Sequence, residues 1–193
     1  RSTGGIDMLS VLDVFVFIIL AIFLAWGVYR QTIGMMVSWF GFYLAVLLAG
    51  LVDLIISGTH GFGMRIIRSL GGSSESTRLL QIGFFFAVLV GTWIIYHLLF
   101  NLAFQEEPFP SFGILDGILG GLLGLALGIV ASAVLVNLWR VTVGTAWQPM
   151  DLWQRMYNVY YTSLLPAYLR PALRLLNQFL PFFSASRPLP LTL

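Results

Sequence analysis

The chain has no cysteine, which excludes disulfides, thiolate nucleophiles, iron–sulfur clusters and cysteine-built zinc sites. It also lacks lysine, so its whole positive charge is carried by arginine. Charged residues are 9% of the total, against roughly a quarter in an ordinary soluble domain. A chain of 193 residues cannot cover a water-facing surface with so few charges. The net charge of +2 is too small to attract nucleic acid. With two histidines and no thiol, a protein-built metal site is not expected either. No nucleophile elbow, helical zinc-ligand spacing or phosphate loop occurs. The one adjacent acidic pair, Glu106-Glu107, sits on a turn with its side chains pointing apart. No catalytic site is expected, and the chain is not read as an enzyme.

What is present is apolar: hydrophobic residues make up 59%, and they fall in blocks. The blocks are Met8 to Tyr29, Thr32 to Ile56, Leu79 to Phe104 and Gly117 to Trp139. Each is long enough to cross about 30 Å of hydrocarbon as a helix. Lipid offers backbone amides no partner, so the crossing segments must be helical. The expected fold is an all-α membrane protein with four transmembrane helices over 1–140. Residues 141–193 form a second, interfacial segment rich in proline and aromatics. The first block is long and has no small-residue cleavage site, so it reads as a span rather than a signal peptide.

The links carry their own information. Only Arg30-Gln31 separates the first two blocks, which forces an antiparallel hairpin. Gly61 to Leu70 mixes Phe62, Ile66 and Ile67 with Arg65 and Arg68, as an interfacial stretch does. Gly71 to Ser76 reads as a polar loop, and Gln105 to Phe112 as a proline-stiffened turn. Near the end, Leu169, Leu173, Leu176 and Leu180 share one helical stripe, with Arg170, Arg174 and Asn177 on another. The expectation is an amphipathic helix on the membrane surface, followed by a disordered tail. Arginines gather on the side of the N-terminus, the middle loop and the C-terminal segment. The positive-inside rule then places both termini in the cytoplasm.

The polar residues inside apolar blocks are the candidates for function. Asp13 lies two turns into the first block, where a carboxylate is costly. It bonds to a polar group on a neighbouring helix, or it serves an ion or transport site. Asp53 lies near a block end and reads as interfacial. Asp116 opens the last block, as an N-cap or a proton or ion site. His97 and Asn101 lie one turn apart in the third block. His97 bonds to a neighbouring helix or, alternatively, is an axial ligand for haem or a pigment. No other cofactor is expected. Gly120, Gly124 and Gly128, with Gly113, Gly117 and Gly121, line a small-residue face. Such a face packs within the bundle, or binds another membrane protein or a second copy.

Three stretches resemble the CvpA (colicin V production protein) family. Leu12-Asp13 opens the first span and Arg30 follows near its end, where the family usually has Arg-Gly or Lys-Gly and this chain has Arg30-Gln31, with Gly34 slightly later. Asp116 to Gly128 resembles the family's acidic entry to a glycine-repeat span, with Gly117 in place of a basic residue. Ser163-Leu164-Leu165-Pro166 and the leucine-rich run to Leu180 resemble its amphipathic C-terminal segment. The resemblance implies a multi-pass protein of the bacterial inner membrane, linked to bacteriocin production or envelope homeostasis, with a scaffold, assembly or transport-assisting role. Some membrane-anchored serine proteases carry a similar bundle, and that arrangement implies termini outside. The alternative from the residues alone is an accessory subunit of a large respiratory or photosynthetic complex. A small transporter or channel is a third reading.

Overall fold

The structure is a computed structural model that describes residues 10–57, 69, 74–103, 113–144 and 151–178. Among these it is entirely helical, without strands. The helices are α1 (Val11–Ser57), α2 (Ser74–Ala103), α3 (Ile114–Val143), α4 (Asp151–Thr162) and α5 (Leu165–Gln178). Three of them, α1 to α3, are long and apolar enough to cross a membrane. The expected stretch over 61–70 (Ser69 apart), residues 71–73, the turn over 105–112, Leu180 and the tail beyond lie outside the described residues.

Helix α1 is two arms broken at Gln31, the one described non-glycine residue at positive φ (φ 60°, ψ −177°). The contacts with α3 give their directions. In the first arm, Gly27 lies against Gly120 and Gly124, while Phe23 lies against Gly124 and Gly128. That arm is antiparallel to α3. In the second arm, Thr32 bonds to Asp116 and Trp39 bonds to Leu123, so it runs parallel to α3. The chain therefore turns back at Gln31, where the two-residue link predicts a hairpin. Helix α2 packs on the hairpin's other flank, with Trp93 against Trp26 and Tyr96 against Phe40. The two arms of α1 pack together with α2 and α3 in one bundle.

Packing follows from side-chain size. Val16, Ala45, Val46, Ala49, Phe85, Leu127 and Val134 fill the centre and are essentially sealed. Phe15, Phe17, Ile22, Ile95 and Leu99 point outward and are exposed. Large apolar side chains on the outside are stable in lipid and costly in water. Hydroxyls on the helices return to the backbone one turn earlier: Ser38 donates to the Gly34 carbonyl at 2.9 Å, and Thr142 to that of Leu138 at 2.8 Å. That pattern satisfies a hydroxyl without water.

Several expectations are corrected. Residues 74–76 belong to the first turn of α2, not to a loop. Helix α1 begins at Val11, so Asp13 lies in its first turn rather than two turns deep. Helix α5 begins at Leu165, a turn before the leucine stripe, and a further helix, α4, precedes it. Leu169, Leu173 and Leu176 are buried in the protein core, not laid on a membrane surface. They are consumed by α3: residues 166–174 share one cavity with residues 133–140, and residues 172–176 share another with residues 126–130. Helix α5 thus runs back along the second half of α3.

Candidate functional site

Two buried carboxylates fasten opposite ends of the bundle. At the first end, Ser10 precedes α1 and its hydroxyl oxygen accepts from Leu12 N at 3.1 Å. Asp13 accepts in return from Ser10 N at 3.2 Å, closing a reciprocal N-terminal cap. The same carboxylate reaches across to α5, accepting from Leu165 N at 3.1 Å and Leu164 N at 3.4 Å. The next residue is Pro166, which has no N–H to offer. Asp13 therefore absorbs the free amides at the start of α5, at the positive end of its dipole. The Ser163 hydroxyl donates to the Val159 carbonyl at 2.6 Å, and the Ser10 hydroxyl donates to Ser163 Oγ. These bonds clasp the N-terminus of α1 to the α4–α5 junction.

At the other end, Asp116 lies in the first turn of α3 but does not cap it. The cap position is Gly113, with φ 70° and no side-chain bond. Asp116 instead accepts from Thr32 N at 2.9 Å, and the Thr32 hydroxyl donates to the Asp116 carbonyl at 3.3 Å. It caps the second arm of α1, immediately after the break at Gln31. Both aspartates thus serve the N-terminus of another element. Asp53, one turn from the end of α1, is also buried.

Between these ends lies the glycine seam. A Cβ on Gly120 would meet the Gly27 carbonyl and stand 2.7 Å from Gln31 Cα. A Cβ on Gly124 would meet the Phe23 carbonyl and stand 2.9 Å from Gly27 Cα. Gly121 and Gly128 are closed by Val28 and Phe23, each at 2.9 Å. This face is filled by the chain's own first arm. It is not the surface for a second copy or a partner, because backbone already occupies it. Gly117 makes only an ordinary contact with Val28, and Gly113 touches nothing within 4 Å. Gly113 is a turn residue whose left-handed φ suits glycine, not a packing residue. Gly27, on the opposing arm, is the packing partner that the sequence reading lacked.

His97 sits among rings on the α1–α2 contact. Trp26, Trp93 and Tyr96 have centroids 5.9, 5.3 and 5.8 Å from its own. It is buried, and neither ring nitrogen has a hydrogen-bond partner among the described residues. The three rings occupy the space beside the imidazole, so a haem-sized macrocycle would have to displace them. No group of three or more potential metal ligands occurs among the described residues. One turn on, Asn101 is exposed and accepts from the Arg30 guanidinium at 3.3 Å; Arg30 also stacks over Trp26 at 5.8 Å. Asn101 is a helix-end partner for Arg30 rather than part of a buried polar site.

On α5, Arg170 and Arg174 point away from the core and converge with Arg140 of α3 on one cavity. The sequence separates Arg140 from the other two by a turn and a helix, so no spacing could have announced the cluster. The Ser10–Asp13 cap was more accessible: a serine three residues before an acid, ahead of an apolar run, is its signature. No protein-family model, curated protein or solved structure matches this chain.

Proposed function

We propose that this chain is a CvpA-like, four-pass protein of the bacterial inner membrane that acts as a scaffold or assists assembly or transport, in bacteriocin production or envelope homeostasis. The observation that carries the reading is the backbone of Gln31. Its φ of 60° and ψ of −177° fall in a region that essentially only glycine occupies. The family has a glycine at this place, after the basic residue that ends the first span. A glutamine held in a glycine conformation is what a divergent member would carry. The two clasps support the same reading, since Asp13 and Asp116 are the acids of the two resembling motifs.

A scaffold role fits a bundle whose buried aspartates Asp13 and Asp116 are spent on holding helices together. The outward faces of α1 and α2, rich in exposed Phe, Ile and Leu, meet lipid or the transmembrane helices of a partner. The test is purification from native membranes in mild detergent, with mass spectrometry of what accompanies the chain. Export or envelope-assembly proteins co-purifying in fixed proportion would support the proposal. A stoichiometric redox or pigment complex would replace it with the accessory-subunit reading.

A further inference from the structure

We propose that the cavity between the end of α3 and the flank of α5 is a binding site for the phosphate headgroup of an anionic phospholipid. The cavity measures about 240 Å³ and is lined by Arg140, Arg170 and Arg174, with Asn137 beside them. Among the described residues no carboxylate lines it. Arg170 and Arg174 have no hydrogen-bond or ion-pair partner among the described residues. Arg170 and Arg174 thus present two like charges that no described residue neutralises, one turn apart beside one small space, and an anion placed between them removes their repulsion. The planar fork of arginine matches two oxygens of a phosphate at once, which a lysine cannot do.

The location selects a lipid over a free anion. Arg140 is in the last turn of α3, about 39 Å along the axis from Ile114 at roughly 1.5 Å per residue. That distance exceeds the hydrocarbon thickness of about 30 Å, so with Ile114 at one edge of the hydrocarbon the Arg140 end of the cavity reaches the headgroup layer of the opposite leaflet. Basic pockets between helices at this level are suited to anionic headgroups. The inner wall is apolar, with Leu169 and Leu173 buried, and Tyr168 and Leu175 stand exposed on the same helix. A lipid can therefore seat its phosphate among the arginines and lay its chains on apolar protein surface. Helix α5 is anchored at its N-terminus, next to the cavity, by Asp13 accepting from Leu165 N. The inference rests on the bundle lying in a membrane, not on its family.

The test is native mass spectrometry of the full chain in detergent, offered phosphatidylglycerol, phosphatidylcholine or inorganic phosphate. Phosphatidylglycerol should stay bound one to one, phosphatidylcholine should be lost, and millimolar phosphate should not displace the lipid. Changing Arg170→Gln and Arg174→Gln together should weaken phosphatidylglycerol about thirtyfold, from roughly fivefold per guanidinium. Both side chains are exposed, so unfolding in detergent without added lipid should be unchanged. The doubly Lys-substituted protein (R170K/R174K) should fall between, having the charges without the forks. Undiminished lipid retention in the Gln variant would overturn the proposal. So would equal retention of phosphatidylcholine. Displacement by phosphate would make this a free-anion site and overturn the lipid assignment. A chain monodisperse without detergent would overturn the membrane placement beneath it.

Discussion

Replacing Gln31 by glycine should make this protein more stable, although glycine within helices normally does the opposite. Gln31 holds φ 60° and ψ −177° between two arms of α1. For a residue with a Cβ, such a conformation costs about 1–3 kcal/mol. Glycine removes that strain but adds freedom to the unfolded chain, costing about 0.5–1 kcal/mol. The Gln31 amide makes no hydrogen bond among the described residues that the substitution would forfeit. The net expectation is a gain of about 0.5–2 kcal/mol. At roughly 2–4 °C per kcal/mol for a chain of this size, the unfolding midpoint should rise by a few degrees. Gln31→Ala is the control, because it keeps the Cβ and hence the strain. The assay is thermal or SDS-driven unfolding of the full chain in mixed micelles, followed by tryptophan emission. A lower midpoint for Gln31→Gly than for Gln31→Ala would refute the reasoning. It would mean that the hinge is not held where the contacts with Gly120 and Thr32 put it.

Other substitutions probe the remaining contacts in the same assay. Asp13→Ala removes the acceptor for Ser10 N, Leu164 N and Leu165 N and should cost about 2–3 kcal/mol, with faster proteolysis around residues 159–165; unchanged cleavage would show that the clasp does not hold α5. Gly124→Ala should destabilise by about 1–3 kcal/mol, because its Cβ meets backbone. Gly83→Ala, with nothing within 4 Å, should be neutral or stabilising by up to about 1 kcal/mol; two losses of equal size would sink the seam. His97→Phe keeps the ring contacts and removes two unpartnered nitrogens, so it should stabilise by about 1–2 kcal/mol. A loss there, or an absorbance band that disappears with the imidazole, would show that His97 has a ligand.

The helices were legible because lipid imposes a simple requirement: long apolar runs with their amides paired internally. The turn at Gln31 was legible because two residues cannot link two long helices in any other way. The deep position assigned to Asp13 failed because an apolar run does not mark where a helix starts. Met8 and Leu9 extend the run, but the Ser10 cap starts the helix at Val11. Asp116 was misassigned for a related reason. Sequence names a helix's local cap, whereas this carboxylate serves an arm that begins at Thr32. The glycine face was visible, yet a single chain cannot say whether the opposing backbone is its own. Gly27 alone on the first arm gave no repeat to mark it as the partner. The arginine cavity was invisible because it joins Arg140 to Arg170 and Arg174 only after α5 folds back.

The placement of the two aspartates bears on what the bundle can do. A carrier needs an intramembrane charge that exchanges partners with its cargo. Asp13 is buried with three backbone amides already at its oxygens, and Asp116 is buried with the Thr32 amide at one of its own. Releasing Asp13 to bind a cation would free the amides at the start of α5. Each such amide, left unpaired away from water, costs about 1–3 kcal/mol. Transport through Asp13 would therefore be coupled to undocking of α5, the helix that bears two of the three cavity arginines. The same bonds that make Asp13 a poor ion site make it a good fastener. Asp13 and Asp116 sit at opposite ends of α3, so the first arm is held along its length, by the clasp at one end, by the glycine seam between, and by the turn at Gln31 at the other. A bundle held this way presents fixed outer surfaces, which is the property that assembling other membrane components requires.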